Sequence, residues 1–298
     1  MKLFQLLIIA LSFISCIQES ENIVQENEDL LQSGEYYINQ TWGQQSSGFE
    51  RSFIVNVPDI AQESYGVVIG LHGGGGNASN TINQYGFFTD KIVIAPQGYL
   101  NGWNVGNEPS TAPDVEFIKE IINYLNTFSN INSNDITIIG SSNGSALLNR
   151  LIIELDSTYF QNAISIVSQL NNLQYHNNSF WYNSSGDNNY DEQIIPSTGK
   201  RIMAVNATND QACPYSGGPG VASYVFLDSQ QSIHLLAQAM GSEEEILNDQ
   251  DGVEIFQNVF KYTYLNGDVI HYKFQGVGHN LGDLNASLPN LIISFLYN

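Results

Sequence analysis

Ser142 stands between two glycines in the run Gly140-Ser141-Ser142-Asn143-Gly144, directly after the apolar stretch Ile136 to Ile139 and before the helical stretch Ala146 to Leu155. A strand that turns this sharply into a helix forces its central residue into a strained backbone, and glycines on either side remove the Cβ atoms that would crowd it. The serine hydroxyl is then presented above a sheet. Serine is a weak nucleophile at neutral pH, so it needs a base, and the base needs an acid to orient it. Two later apolar strands end where such groups stand. Arg201 to Val205 leads through Asn206-Ala207-Thr208-Asn209 into Asp210, and Val269 to Phe274 leads through Gln275-Gly276-Val277-Gly278 into His279. Asp228 and Asp187 are rival acids, but neither immediately follows a strong apolar strand. Of the other histidines, His176 lies in a polar stretch, His234 in a helical pattern and His271 in a strand pattern.

A second motif, Leu71-His72-Gly73-Gly74-Gly75-Gly76, also follows an apolar strand. Four consecutive glycines are costly in backbone entropy, which implies a conformation or a close approach that side chains would block. An oxyanion hole has that requirement, because backbone N–H groups must point at the oxygen that becomes negative during acyl transfer. Gly74 or a neighbouring glycine of the loop, and the N–H of Asn143, are the candidate donors. A phosphate-binding loop is the competing reading, but the Lys-Ser/Thr ending and the G-x-G-x-x-G spacing are absent. His72 is read as bracing the loop beside the substrate rather than as the base.

These groups need a scaffold, and the chain supplies one. Short apolar, β-branched runs (Phe53 to Val57, Gly66 to Leu71, Ile92 to Ala95, Ile136 to Ile139, Ala163 to Val167, Ile202 to Asn206) alternate with helical ones (Val115 to Phe128, Ser145 to Leu155, Ser229 to Met240). That alternation predicts a mainly parallel central sheet with helices on both faces. Asn266-Gly267 between Val259 to Leu265 and Val269 to Phe274 predicts a hairpin. Asn171 to Gly199, crowded with Asn, Ser and Tyr, is too polar for core and predicts a surface excursion or a loop near the site. Its Tyr175, Trp181 and Tyr182 could stack on a substrate ring or pack internally.

The 298 residues carry 30 acidic and 9 basic side chains, a net charge of −21, and 42% are hydrophobic. One large domain is expected, acting as a monomer, and its charge would repel nucleic acid and anionic membrane surfaces. Residues 1–16 read as an export signal: Lys2, the apolar run Leu3 to Ile14, then Ser15-Cys16. Phe13-Ile14-Ser15-Cys16 resembles a bacterial lipobox, which implies a lipid-modified Cys16 at the cell envelope as the sole membrane contact. A plain cleaved secretion signal is the alternative. Residues 17–34 read as a flexible tether and 35–298 as the catalytic domain. Cys213 is the only other cysteine and is expected to be buried. No His or second Cys stands at a metal-ligand spacing from it, so no metal or other cofactor is expected.

From about Phe49 onward the chain resembles the polyhydroxybutyrate depolymerase and feruloyl esterase group of secreted α/β-hydrolases. The matching residues are Arg51-Ser52-Phe53 with Val57-Pro58, the glycine loop, Ala95-Pro96-Gln97-Gly98, Gly102-Trp103-Asn104, Asp114-Val115-Glu116-Phe117, Gly140 to Gly144, Asp210 with Pro214-Tyr215, and Gly278-His279. The resemblance implies an α/β-hydrolase fold with the order Ser142, Asp210, His279, and sets Trp103 along the substrate cleft. It implies a carboxylic ester substrate, small or polymeric. Departures stand beside the acid and the histidine: Asn206-Ala207 where the family commonly has His-Gly, Gln211 where it often has Pro, and Asn280-Leu281 where it has Trp-Pro. The resemblance implies that residues at these positions help form the pocket rim, which leaves the ester's identity open. A serine peptidase on the same fold and a surface-anchored binding protein without turnover remain as alternatives.

Overall fold

The computed structural model describes residues 29–184 and 188–297, so Cys16, the export signal and Asp187 lie outside the described residues. Among the described residues, ten strands form one sheet. In chain order they are β1 (Gly34–Trp42), β2 (Gln45–Asn56), β3 (Tyr65–Leu71), β4 (Lys91–Pro96), β5 (Ile131–Ser141), β6 (Asn162–Ile166), β7 (Arg201–Ala207), β8 (Val253–Phe256), β9 (Val259–Tyr264) and β10 (Val269–Phe274). Their spatial order is β1-β2-β4-β3-β5-β6-β7-β10-β9-β8. The run from β4 to β10 is parallel, and antiparallel strands close both edges.

Helices cover both faces because the parallel strands are apolar on both. Val67, Ile69 and Leu71 of β3 share a core with α2 (Asp114–Leu125), α3 (Asn143–Glu154) and α4 (Ser229–Ala239). Val68, pointing the other way, joins Val93, Ile139 and Val205 against α5 (Leu288–Tyr297). Side chains alternate with period two, so a continuous apolar run fills two cores at once. A short helix, α1 (Ala78–Gln84), follows the glycine loop, and Asn77 caps it by accepting the Asn80 N–H. The expected hairpin is present, with β9 and β10 joined through Leu265–Gly267.

One expectation is revised. Residues 29–34, assigned to the tether, belong to the domain: Leu31 is buried, its N–H donates to Asn130 Oδ1 at 2.9 Å and its carbonyl accepts from Asn130 Nδ2 at 3.1 Å, and Gly34 opens β1. The stretch from Asn171 to Gly199 holds a small three-stranded sheet. There Trp181 stacks on His176 at 4.6 Å and Tyr175 meets Phe180 edge-on, so these rings pack on one another. Among the described residues no helix is long and apolar enough to cross a membrane.

Candidate active site

β5 ends at Ser141, α3 begins at Asn143, and Ser142 between them has φ 53° and ψ −117°. A non-glycine residue there costs on the order of 1–3 kcal/mol and persists only where its surroundings enforce it. Its N–H donates to the Ile166 carbonyl at 2.8 Å. A Cβ on Gly140 would lie 2.4 Å from the Gly144 carbonyl oxygen, and one on Gly144 would lie 2.3 Å from that of Leu71. Both glycines are therefore required by close backbone approach. Ser145, which sequence reasoning missed, pins the turn: its hydroxyl accepts the Ile166 N–H at 2.7 Å and donates to the Gly140 carbonyl at 2.6 Å.

The structure brings Ser142, Asp210 and His279 together. His279 Nε2 is 2.8 Å from Ser142 Oγ, and His279 Nδ1 is 2.7 Å from Asp210 Oδ2. Asp210 is buried and His279 half-buried. The other carboxylate oxygen of Asp210 accepts the N–H groups of Ala212 (2.7 Å) and Cys213 (2.9 Å), which fixes the carboxylate plane and leaves Oδ2 for the imidazole. The loops carrying acid and histidine are tied to each other: Asn209 N–H donates to the Val277 carbonyl at 2.9 Å and Gly276 N–H to Thr208 Oγ1 at 2.8 Å. With the Nδ1 proton held by the carboxylate, Nε2 is free to take the serine proton. The rival acid Asp228 instead caps α4, accepting the Gln231 N–H.

In the glycine loop, Gly75 N–H donates to the Asn101 carbonyl (2.7 Å) and Gly76 N–H to that of Gly73 (3.0 Å). Gly74 and Asn143 line a cavity of about 500 Å³ together with Ser142 and His279. The Asn143 side chain is itself clamped: Oδ1 accepts the Trp103 N–H at 2.6 Å, and Nδ2 donates to the Trp103 carbonyl at 3.0 Å and to Glu108 Oε1 at 3.2 Å.

Trp103 and His72, expected beside the substrate, are both buried and neither lines this cavity. The Trp103 indole N–H donates to the His72 carbonyl at 2.8 Å. His72 Nε2 accepts the Gly98 N–H at 3.0 Å and its Nδ1 donates to the Gly73 carbonyl at 2.8 Å. Burial lowers the His72 pKa, against an opposing contribution from that Gly73 hydrogen bond, which suits a neutral ring with one accepting nitrogen. Both side chains brace the loop from behind. Among the described residues, none of the excursion lines the cavity either; Tyr99, Leu100, Val221, Ala222, Tyr224 and Phe226 are among those that do. Glu108 and the lining residues Val221 to Phe226 escaped sequence reasoning, since neither carries a motif.

Cys213 is buried, as expected, but chain spacing did not anticipate its neighbours. Its sulfur, an Asp210 oxygen and a His279 nitrogen lie within 4.8 Å of one another. Burial first, then the Asp210 charge, pushes the thiol pKa up to about 12, so the thiolate a metal would need is disfavoured. The carboxylate and imidazole are already bonded to each other.

The sheet order, the serine turn and the loops after β7 and β10 define an α/β-hydrolase fold. Similar solved structures include a thermostable esterase (17% identity, TM-score 0.52, covering 88% of this chain and 62% of that one). An acetyl xylan esterase from Aspergillus awamori is similar at 14% identity and TM-score 0.52, covering 88% of this chain and 99% of that one. LpqC, a poly(3-hydroxybutyrate) depolymerase from Bordetella parapertussis, is similar at 12% identity and TM-score 0.52, covering 86% of this chain and 89% of that one. At these identities the likeness is one of fold, and at that level it supports the resemblance read from the sequence. No family model and no curated protein matches the chain.

Proposed function

We propose that the protein is a serine esterase that hydrolyses carboxylic esters through an acyl-enzyme. The observation that carries this reading is the unbroken hydrogen-bond chain from Ser142 Oγ through His279 to Asp210 at the wall of an open cavity. In the first step Ser142 Oγ bonds to the ester carbonyl carbon while its proton passes to His279 Nε2. The carbonyl oxygen becomes negative and is met by the N–H groups of Gly74 and Asn143, where one such donor is worth about 3 kcal/mol of barrier. Collapse breaks the bond to the alcohol oxygen, which leaves with the proton from His279. Water then adds to the acyl carbon, giving its proton to His279, and the acid departs as Oγ recovers a proton. Asp210 holds the imidazole and stabilises its charged form throughout.

Feruloyl or acetyl esters of carbohydrates and polyesters are the substrate classes the sequence resemblance suggests, and similar folds include an acetyl xylan esterase and a polyhydroxybutyrate depolymerase. We further propose that the chain is exported and anchored through an acylated Cys16. Mass spectrometry of the native protein tests this: an acyl mass on Cys16 is expected, and an unmodified N-terminus beyond it would leave ordinary secretion.

The function is tested with p-nitrophenyl acetate and butyrate, methyl ferulate, acetylated xylan and a polyester film beside peptide p-nitroanilides. Turnover of esters with no comparable peptide cleavage is expected. Preference for peptides would make the protein a peptidase, and absence of turnover on every substrate would favour a binding protein.

A further inference from the structure

Among the described residues, Glu108 carries the one carboxylate that lines the catalytic cavity, and no Lys or Arg lines it. Its Oε2 accepts the N–H groups of Val105 (2.8 Å) and Gly106 (3.0 Å) and the hydroxyl of Tyr224 (2.8 Å), and its Oε1 accepts Asn143 Nδ2 (3.2 Å). Every one of these donors is neutral. Neutral donors carry no charge to cancel that of a carboxylate. Among the described residues, no Lys, Arg or His nitrogen forms an ion pair with it. Its field is felt locally: burial first, and then the Glu108 charge, raises the pKa of the Tyr224 phenol on the cavity wall.

We infer that Glu108 is a charge filter, by which the cavity accepts esters whose acyl chain is neutral or bears an ammonium group and disfavours esters bearing a carboxylate there. The inference rests on the esterase reading and narrows its substrates. Glu108 is bonded to the side chain of Asn143, the residue after Ser142, and lines the same cavity, so an acyl chain on Oγ shares that cavity with the carboxylate. A unit charge placed in the same half-buried cavity, at its intermediate effective dielectric, changes the rate constant roughly ten-fold in each direction. The chain's net charge of −21 acts in the same sense but over a longer range, and salt screens it.

The test compares p-nitrophenyl esters of pentanoate, 4-(trimethylammonio)butanoate and hemiglutarate, for wild type and Glu108→Gln, at about 0.1 M ionic strength. The wild type should give a cationic-to-anionic ratio of kcat/KM of about 100-fold, with the neutral ester between. In the variant this ratio should fall at least ten-fold. Because the ratio is internal to each protein, a general loss of rate through Asn143 does not affect it. A wild type that cleaves the anionic and neutral esters equally well overturns the filter, even if the variant fails to fold. A preference that survives in Glu108→Gln assigns it to other charges and also overturns it. Failure to cleave the neutral ester would instead overturn the esterase reading itself.

Discussion

Replacing His271 by Phe should remove an acid-sensitive term from stability. His271 lies in β10, the strand that leads to His279, with its ring between those of Tyr215 (5.9 Å) and Tyr262 (5.6 Å) and its Nδ1 donating to Gln230 Oε1 at 3.2 Å. Burial, and then the charge of Lys273, lowers its pKa from 6.5 to about 3, against a smaller opposing effect of Asp249. In the folded protein the ring stays neutral down to about pH 3, whereas the unfolded chain binds a proton below about 6.5. Between those values the unfolded state holds more protons, so the contribution is fully present above about pH 6.5 and is lost as pH falls. At 1.36 kcal/mol per unit, the loss between pH 7 and pH 5 is about 2 kcal/mol, rising toward about 5 kcal/mol near pH 3. Phe keeps an aromatic ring and abolishes the titration. Urea unfolding at pH 7, 6 and 5 should show the wild type losing about 2 kcal/mol relative to His271→Phe across that interval. Parallel pH profiles for the two proteins would refute the reasoning.

Three further perturbations follow from the packing. Gly144→Ala drives a methyl to 2.3 Å from the Leu71 carbonyl oxygen and should cost about 3 kcal/mol together with most activity; a melting temperature and rate like wild type would contradict the elbow geometry. Asp114→Asn leaves Arg51 buried without its charge partner, now 2.5 Å away, and should destabilise by about 3–5 kcal/mol in urea unfolding. A loss under about 1 kcal/mol would mean that Arg51 finds other compensation. In a Cys16→Ser chain the Cys213 thiol, held up near about 12, should ignore Ellman's reagent at pH 8 until the protein is unfolded. Rapid labelling of the native protein would show the thiol to be accessible.

The proximity of Ser142, Asp210 and His279 is legible in the chain because each follows an apolar run that becomes a strand of the parallel sheet, and parallel strands deliver their C-terminal ends to one edge. The glycine loop is legible for the same reason. What the sequence hides depends on contacts between distant residues. Trp103 looks like a cleft residue until its indole is seen bonded to the His72 carbonyl, and Leu31 looks like tether until Asn130 pairs with both of its backbone groups. Strand β1 goes unread because its residues are largely exposed at a sheet edge, without an apolar run. Helix α1 is short and polar, held by its cap and by Thr81. Glu108 sits in a turn with no motif, and only the fold brings it to Asn143 and Tyr224.

Covalent labelling tests Ser142 as the nucleophile most directly. The folded protein is incubated with a fluorophosphonate, digested and mapped by mass spectrometry, with Ser142→Ala and its ester hydrolysis measured alongside. A single adduct on the peptide containing Ser142, with labelling and hydrolysis both lost in a Ser142→Ala protein of unchanged circular dichroism, is the expected result. An adduct on another residue, or a folded Ser142→Ala variant that hydrolyses esters at the wild-type rate, would contradict it.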